Sequence, residues 1–187
     1  MRLHQIAEGR DAPLYHGAPM PALLAILFQS NTLDKGIHWG RPGEPDGARL
    51  TRSMKVARNF AEEQDYPGGV LAFSQTKLAQ NYRITPYRDT DASGEYWSDE
   101  AEEVVIGDGI DPVSRYLIAI YLDPDLILGT YREMDWFREN DPTGEQFQNS
   151  NWALFSGPDE IDGYVEQLSR HPLLQGIDGF MSRHGPR

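Results

Sequence analysis

The chain has 187 residues, 39% of them hydrophobic and 11% aromatic, which suits a single domain with a real core and excludes a wholly disordered chain. Acidic side chains outnumber basic ones 29 to 17, for a formal charge of −12, which argues against a general phosphate-binding surface while leaving room for a local basic site or a basic partner. The lack of cysteine removes disulfides, thiolate metal sites and thiol nucleophiles together.

The stretch up to Tyr15 has no apolar run of the signal-peptide kind, and no segment reaches the ~18 apolar residues of a membrane span, so a soluble cytoplasmic protein is expected. Leu14-Tyr15-His16-Gly17 reads as a short strand ending at a glycine. Pro21 to Ser30 is a compact apolar helix with proline in its first turn and Asn31 near its end. Gly36 to Gly47 carries four glycines and two prolines and reads as a flexible loop. A helix is predicted over Thr51–Glu63, capped by Thr51 or Ser53, with Val56, Ala57 and Phe60 on one face.

Gly69 to Phe73 is a predicted strand after a Pro-Gly-Gly turn. Lys77 to Gln80 suits a helical turn, and Tyr82 to Thr85 is extended ahead of Pro86. A polar stretch from Arg88 to Glu100 precedes the two clearest strands, Glu103–Ile106 and Arg115–Leu122, which are joined by the turn-rich GDGIDP. Beyond Asp123 the patterns weaken, with partly helical signals over Asp159–Leu168 and Pro172–Leu174. Strands scattered among short helices, without regular βαβ alternation, predict an α+β domain.

Several simple chemistries fail on spacing. Asp89, Asp91, Ser93 and Glu100 fit a calcium-loop template, but Pro86 stands where the entering helix should end and Tyr96 replaces the usual aliphatic residue, so the segment reads as a solvated acidic loop. The histidines at 4, 16, 38, 171 and 184 include no helical metal pair, and no metal site is expected. No nucleophile elbow, P-loop or dinucleotide fingerprint occurs. The acidic pairs Glu62-Glu63 and Glu102-Glu103 have glycosidase-like composition, but spacing alone does not make two carboxylates face each other. In a strand, Glu102 and Glu103 point to opposite faces, and only one of them enters a given cleft.

Three segments combine into something more specific: LYHG at 14–17, RLTRSMKVARNF at 49–60, and EEVVIGDGIDPVSRYLIAI at 102–120. Their order and spacing resemble the ADP-ribosyltransferase family, nearest the branch of diphtheria toxin and the poly(ADP-ribose) polymerases. The likeness spans residues 13–122 and leaves 123–187 without a role. It implies a single ADP-ribosyltransferase-like domain with split β-sheets and short flanking helices, using NAD as substrate. It further implies that Glu103 is the catalytic carboxylate and that His16 holds the adenosine-side ribose. Gly17 then admits the nicotinamide amide to the backbone, and Thr51 or Ser53 supplies hydroxyls. Phe60 stacks on the nicotinamide ring, and Arg49 or Arg52 pairs with the pyrophosphate. This chain departs from the family at Arg49 and Phe60, where the toxin branch has aromatic and tyrosine residues. It departs again at Ala101, where the Glu-x-Glu form ending on residue 103 needs an acid.

Each residue also has an ordinary reading: a structural histidine at 16, helix capping by Thr51 and Ser53, a core phenylalanine at 60, and a solvated strand edge at Glu102 and Glu103. The expectation is a mono-ADP-ribosyltransferase acting on a protein or nucleic-acid acceptor. Two alternatives stand beside it: a non-catalytic acidic binding or inhibitor protein on the same fold, and an NAD glycohydrolase with water as acceptor.

Overall fold

The protein is described by a computed structural model covering residues 12–35, 45–62, 67–87 and 102–176. The loop expected at 36–47 lies outside these residues up to 44, as does the calcium-like template at 89–100 and the histidines at 4, 38 and 184.

The architecture is mixed α/β around an open, mostly antiparallel sheet. Its strands, in chain order, are β1 (Pro13–Pro19), β2 (Leu33–Asp34), β3 (Gly47–Thr51), β4 (Gly68–Ser74), β5 (Ile84–Tyr87), β6 (Glu102–Ile106), β7 (Gly109–Ile110), β8 (Leu117–Leu122) and β9 (Leu174–Gly176). Seven of them form one sheet in the order β5-β6-β3-β1-β4-β8-β9, and β2 pairs with β7 as a separate ribbon. Only the terminal pair, β8 with β9, is parallel.

The helices are α1 (Met20–Leu24), continued by a π-helical stretch over Ala25–Ser30, then α2 (Met54–Glu62), α3 (Gln75–Ala79), α4 (Val113–Tyr116), α5 (Pro124–Asn140), α6 (Glu145–Gln148) and α7 (Pro158–Ser169). None is long and apolar enough to cross a membrane. The main core joins one face of the sheet, through Leu14, Leu50, Leu71, Phe73, Val105 and Ile120, to Leu23 and Leu24 and to the C-terminal helices through Met134, Trp152, Ile161 and Val165. A smaller cluster on the other face packs α2 through Ala57 and Ala61 against Val70, Tyr15 and Tyr121.

Four expectations change. Arg115 and Tyr116 do not begin the strand but close the helical turn α4. Asn31 sits in the left-handed region at φ 52°. Its carbonyl and side-chain oxygens accept the Val113 and Ser114 amides and anchor that turn. Phe60 does not share the buried face of α2, which is Val56, Ala57 and Ala61; it stands 40% exposed. Leu174 belongs to a strand rather than a helix, because it pairs with Ile120 on the edge of β8. The weakly patterned region after Asp123 holds α5, a 17-residue helix capped by the Asp123 carboxylate and started by Pro124.

Candidate functional site

The three motif segments lie on neighbouring strands, β1, β3 and β6, although their members stand 33 and 53 residues apart in sequence. β3 and β6 pair closely, with Thr51 opposite Glu102, Leu50 opposite Glu103 and Arg49 opposite Val104. β1 meets β3 at Tyr15↔Thr51. Beyond that point the His16 ring reaches β3, its Nδ1 lying 3.1 Å from the Arg49 carbonyl oxygen.

Facing residues on paired strands point the same way, so the register sorts the candidates by face. Tyr15, Thr51, Arg49 and Glu102 share the face covered by α2. Gly17 joins them by alternation along β1. Leu50 and Glu103 point to the main-core side, as does His16, which sits between Leu14 and Ala18 in the alternation. Sequence alternation foretold that Glu102 and Glu103 part company; which partners each meets depends on the register alone.

Each carboxylate has its own arginine. Arg49 Nη1 donates to Glu102 Oε2 at 2.6 Å, with the side chains 22% and 10% exposed. Arg52 Nε donates to Glu103 Oε1 at 2.6 Å, with side chains 44% and 9% exposed. Arg52 also donates to Gln75 Oε1 at 3.2 Å, and so ties the β3–α2 turn to both β6 and the start of α3. The Glu103 pair is therefore a tie between elements, whereas the Glu102 pair lies within the sheet beside a hydroxyl.

The hydroxyls have local work as well. Thr51 Oγ1 accepts the Ser53 amide at 3.0 Å, and Ser53 Oγ accepts the Val56 amide at 3.3 Å. These bonds turn the chain from β3 into α2 and satisfy orphan amides at the helix start. The four residues after Gly47 that carry cations (Arg49, Arg52, Lys55 and Arg58) stand in a stretch from 47 to 58 with no acid.

His16 is held in one tautomer. A carbonyl only accepts, so Nδ1 carries the proton and Nε2 presents a lone pair. Burial lowers the His16 pKa, while the Arg49 carbonyl works in the other direction by favouring the protonated ring. The neutral imidazole suits an acceptor for a hydroxyl. Gly17 has a packing reason of its own: a Cβ there would overlap the Ala57 carbonyl, so glycine is what lets α2 lie against β1. Phe60, three residues beyond Ala57 and 40% exposed, leaves part of its ring uncovered on the flank of α2.

Among the described residues no group of three or more His, Asp or Glu side chains is placed to hold a metal ion. An open cleft of about 370 Å³ lies elsewhere, lined by Arg138 and Asp141 with the start of α7, and shares no residue with the three motifs. No protein-family model, curated protein or solved structure matches the chain.

Proposed function

We propose that this protein is an NAD-dependent mono-ADP-ribosyltransferase on an ADP-ribosyltransferase-like fold, with a protein or nucleic-acid acceptor. The observation that carries the reading is the convergence of the three motifs on adjacent strands, with a carboxylate, a hydroxyl and a guanidinium on one face. In the reaction, the bond between the nicotinamide nitrogen and ribose C1′ breaks, and its electron pair leaves with nicotinamide. The cation left on the sugar is stabilised by a fixed carboxylate, a gain larger in the transition state than in the ground state. A nucleophile of the acceptor then bonds to C1′ and gives up its proton.

Glu103 is the carboxylate that the family likeness selects. The register splits the candidates: Glu102 shares a face with Thr51 and with the helix that bears Phe60, while Glu103 shares the other with His16, and the reading takes Glu102 because the hydroxyl and the ring lie with it. On the Glu102 face Phe60 stacks on the nicotinamide, a contact worth roughly 0.5–1.5 kcal/mol beyond area burial, whereas His16, on the opposite face, accepts from a ribose hydroxyl only in the arrangement in which Glu103 acts. Arg49 and Arg52 are the guanidinium donors for the pyrophosphate.

The test is nicotinamide release from NAD by the wild-type protein and by Glu102→Gln and Glu103→Gln, each checked for folding by circular dichroism. Glu102→Gln is expected to reduce release by about 10²-fold or more, the scale of losing one preorganised electrostatic contact. Loss confined to Glu103→Gln moves the role to Glu103. Normal turnover by both variants overturns the enzyme reading.

A second reading, an acidic binding module for a basic partner, draws on residues 123–176, where eleven acids face three arginines. Salt-sensitive partner binding without nicotinamide release supports it. If free ADP-ribose is the main product, water is the acceptor and the protein is an NAD glycohydrolase.

A further inference from the structure

Helix α5 turns Leu126, Thr130, Met134 and Phe137 toward the core, so its opposite side is expected to be polar. It is not. Leu128 is 55% exposed and Trp136 45%, and both stand on the outward side with Asp125, Arg132, Asp135 and Glu139. One exposed apolar side chain is ordinary on a surface. These two are eight residues apart, close to two turns, and so lie along one side of the helix about 12 Å from each other. Gly129 supplies a second observation. Glycine inside a helix costs stability relative to alanine, and here no packing within the described residues asks for it: a Cβ at Gly129 would meet no atom within 4 Å. The outward side therefore has a notch beside Leu128 and, two turns on, an indole. Trp136 is steadied by an edge-to-face contact with Phe137, with ring centroids 5.3 Å apart.

We infer that this side of α5 is an interface for a second copy of the chain, the two helices packing antiparallel about a two-fold axis at Arg132. Such an axis sets residues equally far before and after Arg132 side by side. Trp136 of the second copy then lies beside Leu128 and over the notch at Gly129, and the same contact repeats at the other end, as a two-fold requires. Knob and hole on one helix never meet within that helix, but across two copies they fit. Charge agrees at the centre, where Arg132 of one copy comes within reach of Asp135 of the other, one turn away. Asp125 and Glu139 of opposite copies approach only at the outer ends, in water, where salt screens them. None of these residues belongs to the three motifs, so the inference is independent of NAD cleavage.

Sedimentation equilibrium of the full chain is the test, with the urea midpoint of the dilute protein as the control for folding. The wild-type chain is expected to pass from monomer to dimer as its concentration rises. Trp136→Ala and Gly129→Leu are each expected to weaken the dimer by at least about tenfold, the first by removing the knob and the second by filling the hole. Gly129→Ala separates the interface from a role inside the fold. Alanine is the better helix former and has room, so the midpoint of the dilute protein is expected to rise while the dimer weakens. Leu154→Ala, at a position 61% exposed but off this helix, is expected to leave the dissociation constant unchanged. A wild-type chain that stays monomeric overturns the inference. So does Trp136→Ala or Gly129→Leu within about twofold of wild type, a Gly129→Ala dimer no weaker than wild type, or an equal loss in Leu154→Ala. Should Trp136→Ala fail to fold, Gly129→Leu decides alone, because its side chain enters open space in the monomer.

Discussion

Two regions of this protein hold arginine against carboxylate, and they are built in opposite ways. In the C-terminal helical layer Arg138 meets Asp135 at 3.0 Å, Asp159 at 2.8 Å and Asp162, and links α5 to α7. One cation serves three acids, two of which are largely in water, in a region short of cations. In the strand region each of two nearly buried carboxylates meets an arginine that is the more exposed partner. The first arrangement quiets surplus negative charge on a surface whose stability comes from elsewhere. The second sets two nearly buried carboxylates against arginines where apolar packing was available. Excess acid surrounding one arginine is surface electrostatics and contributes little to stability, whereas ion pairs as buried as the strand pairs carry a desolvation cost.

The contrast is best broken where apolar packing, not charge, is expected to dominate. Trp152 is fully buried among Phe155 and the α5–α7 core, so Trp152→Ala is expected to cost about 3–5 kcal/mol in urea unfolding. A loss under 1 kcal/mol would mean that the layer is held by its ion pairs after all. Gly17→Ala forces a methyl onto the Ala57 carbonyl and pushes α2 off β1, with an expected cost of about 1–3 kcal/mol in the same assay. Tolerance of that change would show that α2 is not firmly seated over the strand site.

Arg138→Gln should cost less than about 1 kcal/mol, and the difference from wild type should shrink in high salt, because two of its three partners are largely solvated. The smallest effect is read along the pH axis. Burial places the native His16 pKa below its ordinary value near 6.5, so the unfolded chain holds that proton more tightly than the folded one. Its contribution is therefore fully present above pH 6.5 and is lost as pH falls below that value toward the lowered native pKa. His171 is lowered by burial too and acts in the same window from the other region. Urea midpoints followed from pH 7.5 to 5 should show a shallower slope for His16→Gln and, separately, for His171→Gln. An unchanged slope in His16→Gln would place that ring in water rather than against β3.

The sequence itself determined the elements whose signal is local. β6 announced itself through Glu-Val-Val-Ile and α2 through its alanine face behind a Thr-Arg-Ser turn, whereas α7 gave only a partial helical signal over Asp159–Leu168. The motif order also placed His16, Arg49, Thr51 and the acidic pair in one neighbourhood, which the adjacency of β1, β3 and β6 realises. Helix α5 was hidden because its buried stripe of Leu126, Thr130, Met134 and Phe137 contains a threonine, while Leu128 and Trp136 stand outside it exposed. Strand β9 was hidden because three residues carry no period, and its pairing with β8 comes from across the chain. Periodicity puts Phe60 on one face with Val56 and Ala57, but it measures a direction around a helix and not what lies opposite, so it left the core and stacking readings of that ring both open. The choice between Glu102 and Glu103 was beyond any local pattern. Alternation says that the two part, but only the register of β6 on β3 says which of them meets Thr51 and Arg49, and a register is fixed by contacts between residues some fifty positions apart.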